Sequence, residues 1–221
     1  MRAVIFDLDG TLVDTVYAHT FAWWQVLAEA KLPVPGWKVH RLIGMSGGLI
    51  TRAASHEIGR DLSDEEVEGL QSRHGEIYKS LLPKRTALPG ALDLLRHLRQ
   101  AKIKHAIGTS GKRKDAEASL DVLDLPDDAI VVDRTAVERA KPEPDLFLAC
   151  QQKLAVEPEE CYVIGDAVWD LLAARRAGML GIGLLSGGYG EEELSRAGAY
   201  RVYRDPAELL SQLYQLGLRP S

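Results

Sequence analysis

Asp7, Leu8, Asp9, Gly10 and Thr11 directly follow the apolar run Ala3-Val4-Ile5-Phe6. In an extended chain, residues i and i+2 face the same way, so Asp7 and Asp9 can point together into one site. Two unpaired carboxylates there repel each other and resist desolvation. A divalent cation resolves that conflict, and magnesium prefers carboxylate and phosphate oxygens. Asp-Gly is also a common turn pair, so these residues alone read as a solvated turn as well.

Three further stations offer complementary groups. In Ile107-Gly108-Thr109-Ser110-Gly111, the Thr109 hydroxyl and the backbone N–H groups of Ser110 and Gly111 can cradle a phosphate. An ordinary strand-to-helix turn with a Thr or Ser N-cap reads the same way. In Lys141-Pro142-Glu143-Pro144-Asp145, the prolines restrict the backbone around a lysine whose charge suits a phosphoryl group. A surface lysine ahead of a helix opening at Pro144 is the alternative. In Gly165-Asp166-Ala167-Val168-Trp169-Asp170, two acids stand four apart, which on a helix puts them on one side and makes a cation favourable. They also read as acids complementing a helix N-terminus. Three of the four stations directly follow separate apolar strands. A parallel sheet would bring these to one edge, which is where open α/β folds bind ligands.

The elements that must position them follow from the hydropathy pattern. Short apolar or β-branched runs at residues 3–6, 104–108, 130–132 and 161–165 read as buried strands, with further candidates at 180–184 and 200–203. Helical patterns at 91–101, 116–123, 144–154, 169–177, 191–197 and 206–216 lie between and after them. This alternation predicts an α/β fold, a Rossmann-like parallel sheet core flanked by helices. Residues 15–82 break the rhythm. They carry a helical pattern at 16–30 with Phe21, Trp24 and Leu27 in phase, and a capping-box signature at Ser63-Asp64-Glu65-Glu66 that opens another helix toward Leu82. Pro33, Pro35 and Gly36 mark a turn between them. The expected organisation is a catalytic core of residues 1–14 and 83–221, with an inserted all-α helical cap over 15–82.

Bulk properties narrow the function. A chain of 221 residues with 46% hydrophobic residues builds a substantial core. A net charge of −5 is no footprint for nucleic acid or an anionic membrane, and the basic run Lys112-Arg113-Lys114 reads as a solvated helix start. Cys150 and Cys161 lack metal spacing and sit in apolar contexts, as buried reduced thiols do. No secretory leader pattern follows Met1, and no stretch approaches a membrane helix in length. A cytoplasmic monomer acting on a small molecule is the expectation. The late Ser186-Gly187-Gly188-Tyr189-Gly190 lacks nucleotide-loop spacing and is expected to be a flexible loop near the site rim.

The four stations, in this order, resemble the haloacid dehalogenase superfamily of phosphohydrolases, whose motifs are D-x-D-x-T, a strand-end Thr or Ser, a Lys and G-D-x-x-x-D. Lys141–Phe147 (K-P-E-P-D-L-F) and Ala173–Met179 (A-A-R-R-A-G-M) extend the likeness over nearly the whole chain. The helical insert resembles the small cap of the superfamily's first subclass. The resemblance implies a magnesium-dependent phosphatase acting on a small phosphorylated metabolite such as phosphoglycolate or a sugar phosphate. Asp7 would be the nucleophile, forming an aspartyl phosphate, and Asp9 the general acid and base. Asp7, the backbone carbonyl of Asp9, Asp166 and Asp170 would hold the metal, while Thr109, Ser110, Gly111 and Lys141 hold the phosphate.

Asp9 stands where a dehalogenase needs no acid, which speaks for phosphoryl transfer. A rival within the superfamily is a mutase of the β-phosphoglucomutase kind, whose first cap helix resembles the segment around His19, Ala22 and Trp23. That pattern places an arginine where this chain has Gly47, after Ser46, so hydrolysis is favoured. His19, Trp23, Ser46, Gly47 and Arg52 are candidate substrate contacts, although Trp23 and Arg52 also read as cap packing and a solvated helix face, and His19 reads as an ordinary cap-helix histidine too. A non-catalytic binding protein on this fold is the third reading, and it need not keep Asp7, Asp9, Lys141 and Asp166 together.

Overall fold

The computed structural model describes residues 2–218. Strand β1 (Ala3–Asp7) leads into four helices, α1 (Val16–Glu29), α2 (Gly36–Leu42), α3 (Gly47–His56) and α4 (Asp64–Leu81). There follow α5 (Ala91–Gln100), β2 (Lys104–Gly108), α6 (Arg113–Leu120), β3 (Ile130–Val132), α7 (Asp145–Leu154), β4 (Cys161–Gly165) and α8 (Val168–Arg176). The chain continues through β5 (Leu180–Leu184), α9 (Glu191–Ala197), β6 (Ala199–Tyr203) and α10 (Pro206–Ser211). It divides into two compact units, Met1–Asp14 with Arg85–Ser221, and Thr15–Lys84.

The first unit is built on a six-stranded sheet of order β3-β2-β1-β4-β5-β6 in which every pairing is parallel. Parallel neighbours need crossover connections, and helices supply them here. All five residues of β1 are buried, as a central strand covered on both faces requires. Its side chains alternate between the two layers. Val4 and Phe6 pack with Leu94, Leu95 and Leu98 of α5 and Leu209 of α10, whereas Ala3 and Ile5 pack with Phe147 and Cys150 of α7 and Ala173 and Ala174 of α8. The chain winds outward from β1 to β3, then returns to lay β4, β5 and β6 on the other side. The order therefore reverses between β1 and β4, making a switch point at the carboxyl ends of these strands. Both cysteines are free and buried. Among the described residues no helix is long and apolar enough to cross a membrane.

The second unit is all helical. Its core gathers Trp23, Val26 and Leu27 of α1, Val39 of α2, Ile50 and Ala54 of α3, and Val67, Ile77 and Tyr78 of α4. Ser63 caps α4 in a reciprocal capping box with Glu66, as its sequence signature predicts.

Several boundaries depart from the periodicity reading. On α1, Phe21 and Trp24 are exposed and Ala22, Trp23, Val26 and Leu27 are buried, so the aromatic phase lies one residue from the expected one. Gly36, expected in a turn, opens α2. Two short helices, α2 and α3, fill a stretch of the all-α insert for which the sequence marks a turn at residues 33–36 but no helix bounds. The expected helix over 206–216 ends at Ser211 and resumes as a 3-10 turn over Leu213–Leu216.

Candidate active site

The carboxyl ends of β1, β2 and β4 lie side by side. Asp7 is in register with Gly108, and Phe6 with Ile164, so Thr109 and Asp166, each the first residue beyond its strand, emerge at the same edge as Asp7. Lys141 reaches this edge from the loop before α7. It is 1% exposed, which removes the surface-lysine alternative.

The Lys141 Nζ lies 2.8 Å from Asp7 Oδ1 and donates to Asp170 Oδ1 at 2.7 Å. Asp170 Oδ2 accepts the backbone N–H of Ala167 at 3.0 Å, so this acid both caps the start of α8 and faces the lysine. Its two candidate readings hold together, because the first turn of α8 abuts the site. Asp166 is not part of that helix. It leaves the tip of β4, and its Oδ1 accepts the Thr11 hydroxyl at 2.7 Å. The Thr109 hydroxyl accepts the Gly111 N–H at 3.1 Å, folding the loop after β2 back on itself. Thr109 is not the N-cap of α6, a place taken by Lys112. Gly111 N–H is thus engaged within the loop, and Ser110 and Gly111 are half-buried.

Asp7, Asp166 and Asp170 are all buried and present carboxylate oxygens within 4.8 Å of one another. Burial is the chief cause that raises the Asp7 carboxyl from the ordinary 3.8 to about 7; Lys141 opposes the shift, and Asp170 and Asp9 add to it. Burial likewise pushes Asp166 well above the usual carboxylate range, with Asp170 and Asp7 reinforcing it and the Thr11 hydrogen bond opposing. Burial alone would lower the Lys141 ammonium, but the carboxylates of Asp170 and Asp7 outweigh it and raise it. Three buried carboxylates therefore face one ammonium. The shortfall of positive charge, among oxygen donors only, is what a hard divalent cation fits. Asp9 is half-buried and its carboxylate lies outside the three-acid cluster.

The candidate residues of the helical unit make contacts within that unit. His19 and His74 share a hydrogen bond between Nδ1 and Nε2 at 3.1 Å. The His19 ring stacks on Tyr78 with centroids 3.8 Å apart, and Trp23 stacks on His74 at 4.2 Å. Arg52 donates to the Leu62 carbonyl at 3.2 Å and pairs with Asp64 at the start of α4. Ser46 is the N-cap of α3, and Gly47 begins that helix against the Trp23 ring.

Sequence reasoning missed two contacts at the sheet edge. Thr11 closes the first motif in the sequence without a stated task, yet it fixes Asp166. The glycine-rich segment after β5, expected to be a flexible rim loop, is instead a 3-10 turn (Leu185–Gly187) with Gly187 and Tyr189 buried and Ser186 bonded to Gly10. Its place near the site rim is as expected, but nothing in its composition signals these contacts. The sheet order, which sets β5 beside β4, brings them about.

The family model for haloacid dehalogenase-like hydrolases matches residues 1–178. The chain belongs to that family. Among its relatives, a β-phosphoglucomutase of Bacillus subtilis is 32% identical, over 96% of this chain and 93% of the relative. A phosphoglycolate phosphatase of Rhodospirillum rubrum is 34% identical, over 94% of this chain and 89% of the relative. A solved structure of a hydrolase from Pseudomonas syringae superposes with a TM-score of 0.94 at 46% identity, covering 98% of this chain and 99% of that one.

Proposed function

We propose that the protein is a magnesium-dependent phosphatase that hydrolyses a small phosphorylated metabolite through an aspartyl phosphate on Asp7. The observation that carries this reading is the buried cluster of Asp7, Asp166 and Asp170 around Lys141, with Asp9 two residues beyond Asp7.

Asp7 is the nucleophile. Its carboxylate attacks phosphorus, the P–O bond to the leaving alcohol breaks, and the phosphoryl group passes to Asp7. Asp9, less buried, protonates the departing alkoxide and then takes a proton from the water that hydrolyses the acyl phosphate, help worth about 10²–10⁴-fold. Lys141 stabilises the ionised Asp7 and the equatorial phosphoryl oxygens, and Thr109 and the loop after β2 bind those oxygens. Bound by Asp7, Asp166, Asp170 and the Asp9 carbonyl, a magnesium ion supplies the positive charge that offsets repulsion between carboxylate and phosphate dianion.

The mutase among the relatives makes intramolecular transfer the second reading. Position 47 favours hydrolysis. Gly47 carries no charge to grip a second phosphate, and a Cβ built on it would stand 2.8 Å from the Trp23 ring, so any side chain here requires that indole to shift.

Release of phosphate from p-nitrophenyl phosphate, with magnesium and with chelator, tests the proposal. Magnesium-dependent turnover that vanishes in Asp7→Asn, with the circular-dichroism spectrum unchanged, is the expected result. Turnover near the parent level in Asp7→Asn would end the nucleophile assignment. No turnover with any divalent metal, across a panel of phosphorylated metabolites, would favour a binding protein.

A further inference from the structure

We propose that Ser186 and Gly187, in the turn after β5, are positioning residues for the carboxylate cluster: Ser186 holds the turn of the first motif, and Gly187 fixes where Asp166 stands. The inference rests on the metal-dependent reading above.

The Ser186 hydroxyl donates to the Gly10 carbonyl at 2.6 Å. Gly10 sits at a φ of 83° between Asp9 and Thr11, so this bond holds the Gly10–Thr11 peptide, which leads from the acid–base candidate's neighbour to the residue gripping Asp166. The next residue acts on Asp166 directly. A Cβ built on Gly187 would lie 1.9 Å from Asp166 Oδ2 and 2.7 Å from its Cγ. Asp166 is thus held on Oδ1 by Thr11 and walled on the Oδ2 side by bare backbone. The same Cβ would stand 2.7 Å from the Asp166 Cβ, so no side chain fits at 187 unless the carboxylate turns away and the backbone of 166 or 187 shifts with it. The turn is itself anchored. Gly188 N–H donates to the Leu185 carbonyl at 3.0 Å, and Tyr189 packs with Ala167, Leu171 and Leu194. An element outside the four motifs therefore touches two of them at once, and both contacts bear on groups that set cation geometry. Outer contacts of this kind orient ligands, and their loss costs about 10–100-fold in metal affinity.

Calorimetric titration of magnesium into the substrate-free protein separates positioning from a merely structural role. Gly187→Ala is expected to keep the parent's circular-dichroism spectrum and to bind magnesium about tenfold more weakly or worse. Ser186→Ala is expected to lower kcat several-fold with KM little changed, and Ser186→Thr, which keeps the hydroxyl, to recover most of the loss. A folded Gly187→Ala that binds magnesium within about twofold of the parent would overturn the inference. So would a Ser186→Ala enzyme with the parent's kcat. Should Gly187→Ala not fold, the serine pair decides. A parent that binds no divalent ion withdraws the phosphatase reading itself and this inference with it, an outcome distinct from a parent that binds and variants that match it.

Discussion

At the scale of single residues, Lys141 joins fold to chemistry. Its ammonium pairs with both Asp7 and Asp170, and all three side chains are almost fully buried. Its charge also lies over Phe147, with Nζ 5.7 Å from the ring centroid. Removing one partner from a buried ionic group leaves the others uncompensated, which typically costs about 3–5 kcal/mol. Lys141→Ala is therefore expected to lose stability on that scale in chelator, together with turnover. Because the cost comes from unpaired carboxylates, added magnesium should restore part of the stability without restoring activity. Urea denaturation of the variant with and without magnesium checks this. A variant as stable as the parent in chelator would show that the carboxylates take up protons and need no cation. Asp7, Asp9, Lys141 and Asp166 were legible in the sequence because each lies in a short motif beside a strand or a proline pair. Thr11 and Ser186 were not, since a hydroxyl's task is set by a partner 155 or 176 positions away.

At the scale of elements, the start of α3 and the middle of α1 are mutually adapted. Gly47 leaves the space that the Trp23 ring occupies, and its built Cβ also comes within 3.0 Å of Gln71 on α4. Overpacking a filled site costs about 1–3 kcal/mol. Gly47→Arg should destabilise the protein by about that amount, and Trp23→Leu with Gly47→Arg should be less destabilised than the two single changes added together. Thermal unfolding of the four proteins closes this cycle, and a Gly47→Arg variant with the parent's melting temperature would refute the packing account. The same elements show where periodicity misleads. Phe21, Trp23 and Trp24 are all aromatic, so hydropathy cannot choose the buried phase of α1, and the choice falls to Trp23 through its neighbours Gly47 and His74. The helices α2 and α3, of 7 and 10 residues, lack side-chain caps and are stabilised by packing, which composition does not display. Leu209, Leu213 and Leu216 all reach the core whether the chain runs as one helix or as α10 plus a 3-10 turn, so their spacing does not mark the break. By contrast, the Ser63–Glu66 capping box is purely local and was read directly.

At the scale of the molecule, the sheet was legible because parallel strands covered on both faces must be continuous apolar runs, and β1 and β4 are buried at every position. The strand order was not legible, and it is the order that sets the turn after β5 beside Asp166. Gathering acids at that edge makes stability depend on protons. In the metal-free protein, Asp7 ionises near 7 in the fold instead of at its ordinary 3.8, and Asp166 is raised too. The unfolded chain sheds these protons near 4 while the fold keeps them, so between about pH 4 and about pH 7 the folded state binds more protons. Stability of the metal-free protein should then fall as pH rises through that window. A cation competes for the same oxygens, displaces the protons and binds better as the acids ionise. The stabilisation given by magnesium should accordingly grow with pH, and binding near neutrality should release protons. Melting temperatures in magnesium and in chelator, compared from about pH 5 to about pH 8, measure this directly. A magnesium shift that stays constant across the range would mean that the buried acids are already ionised in the metal-free fold, with Lys141 alone balancing them.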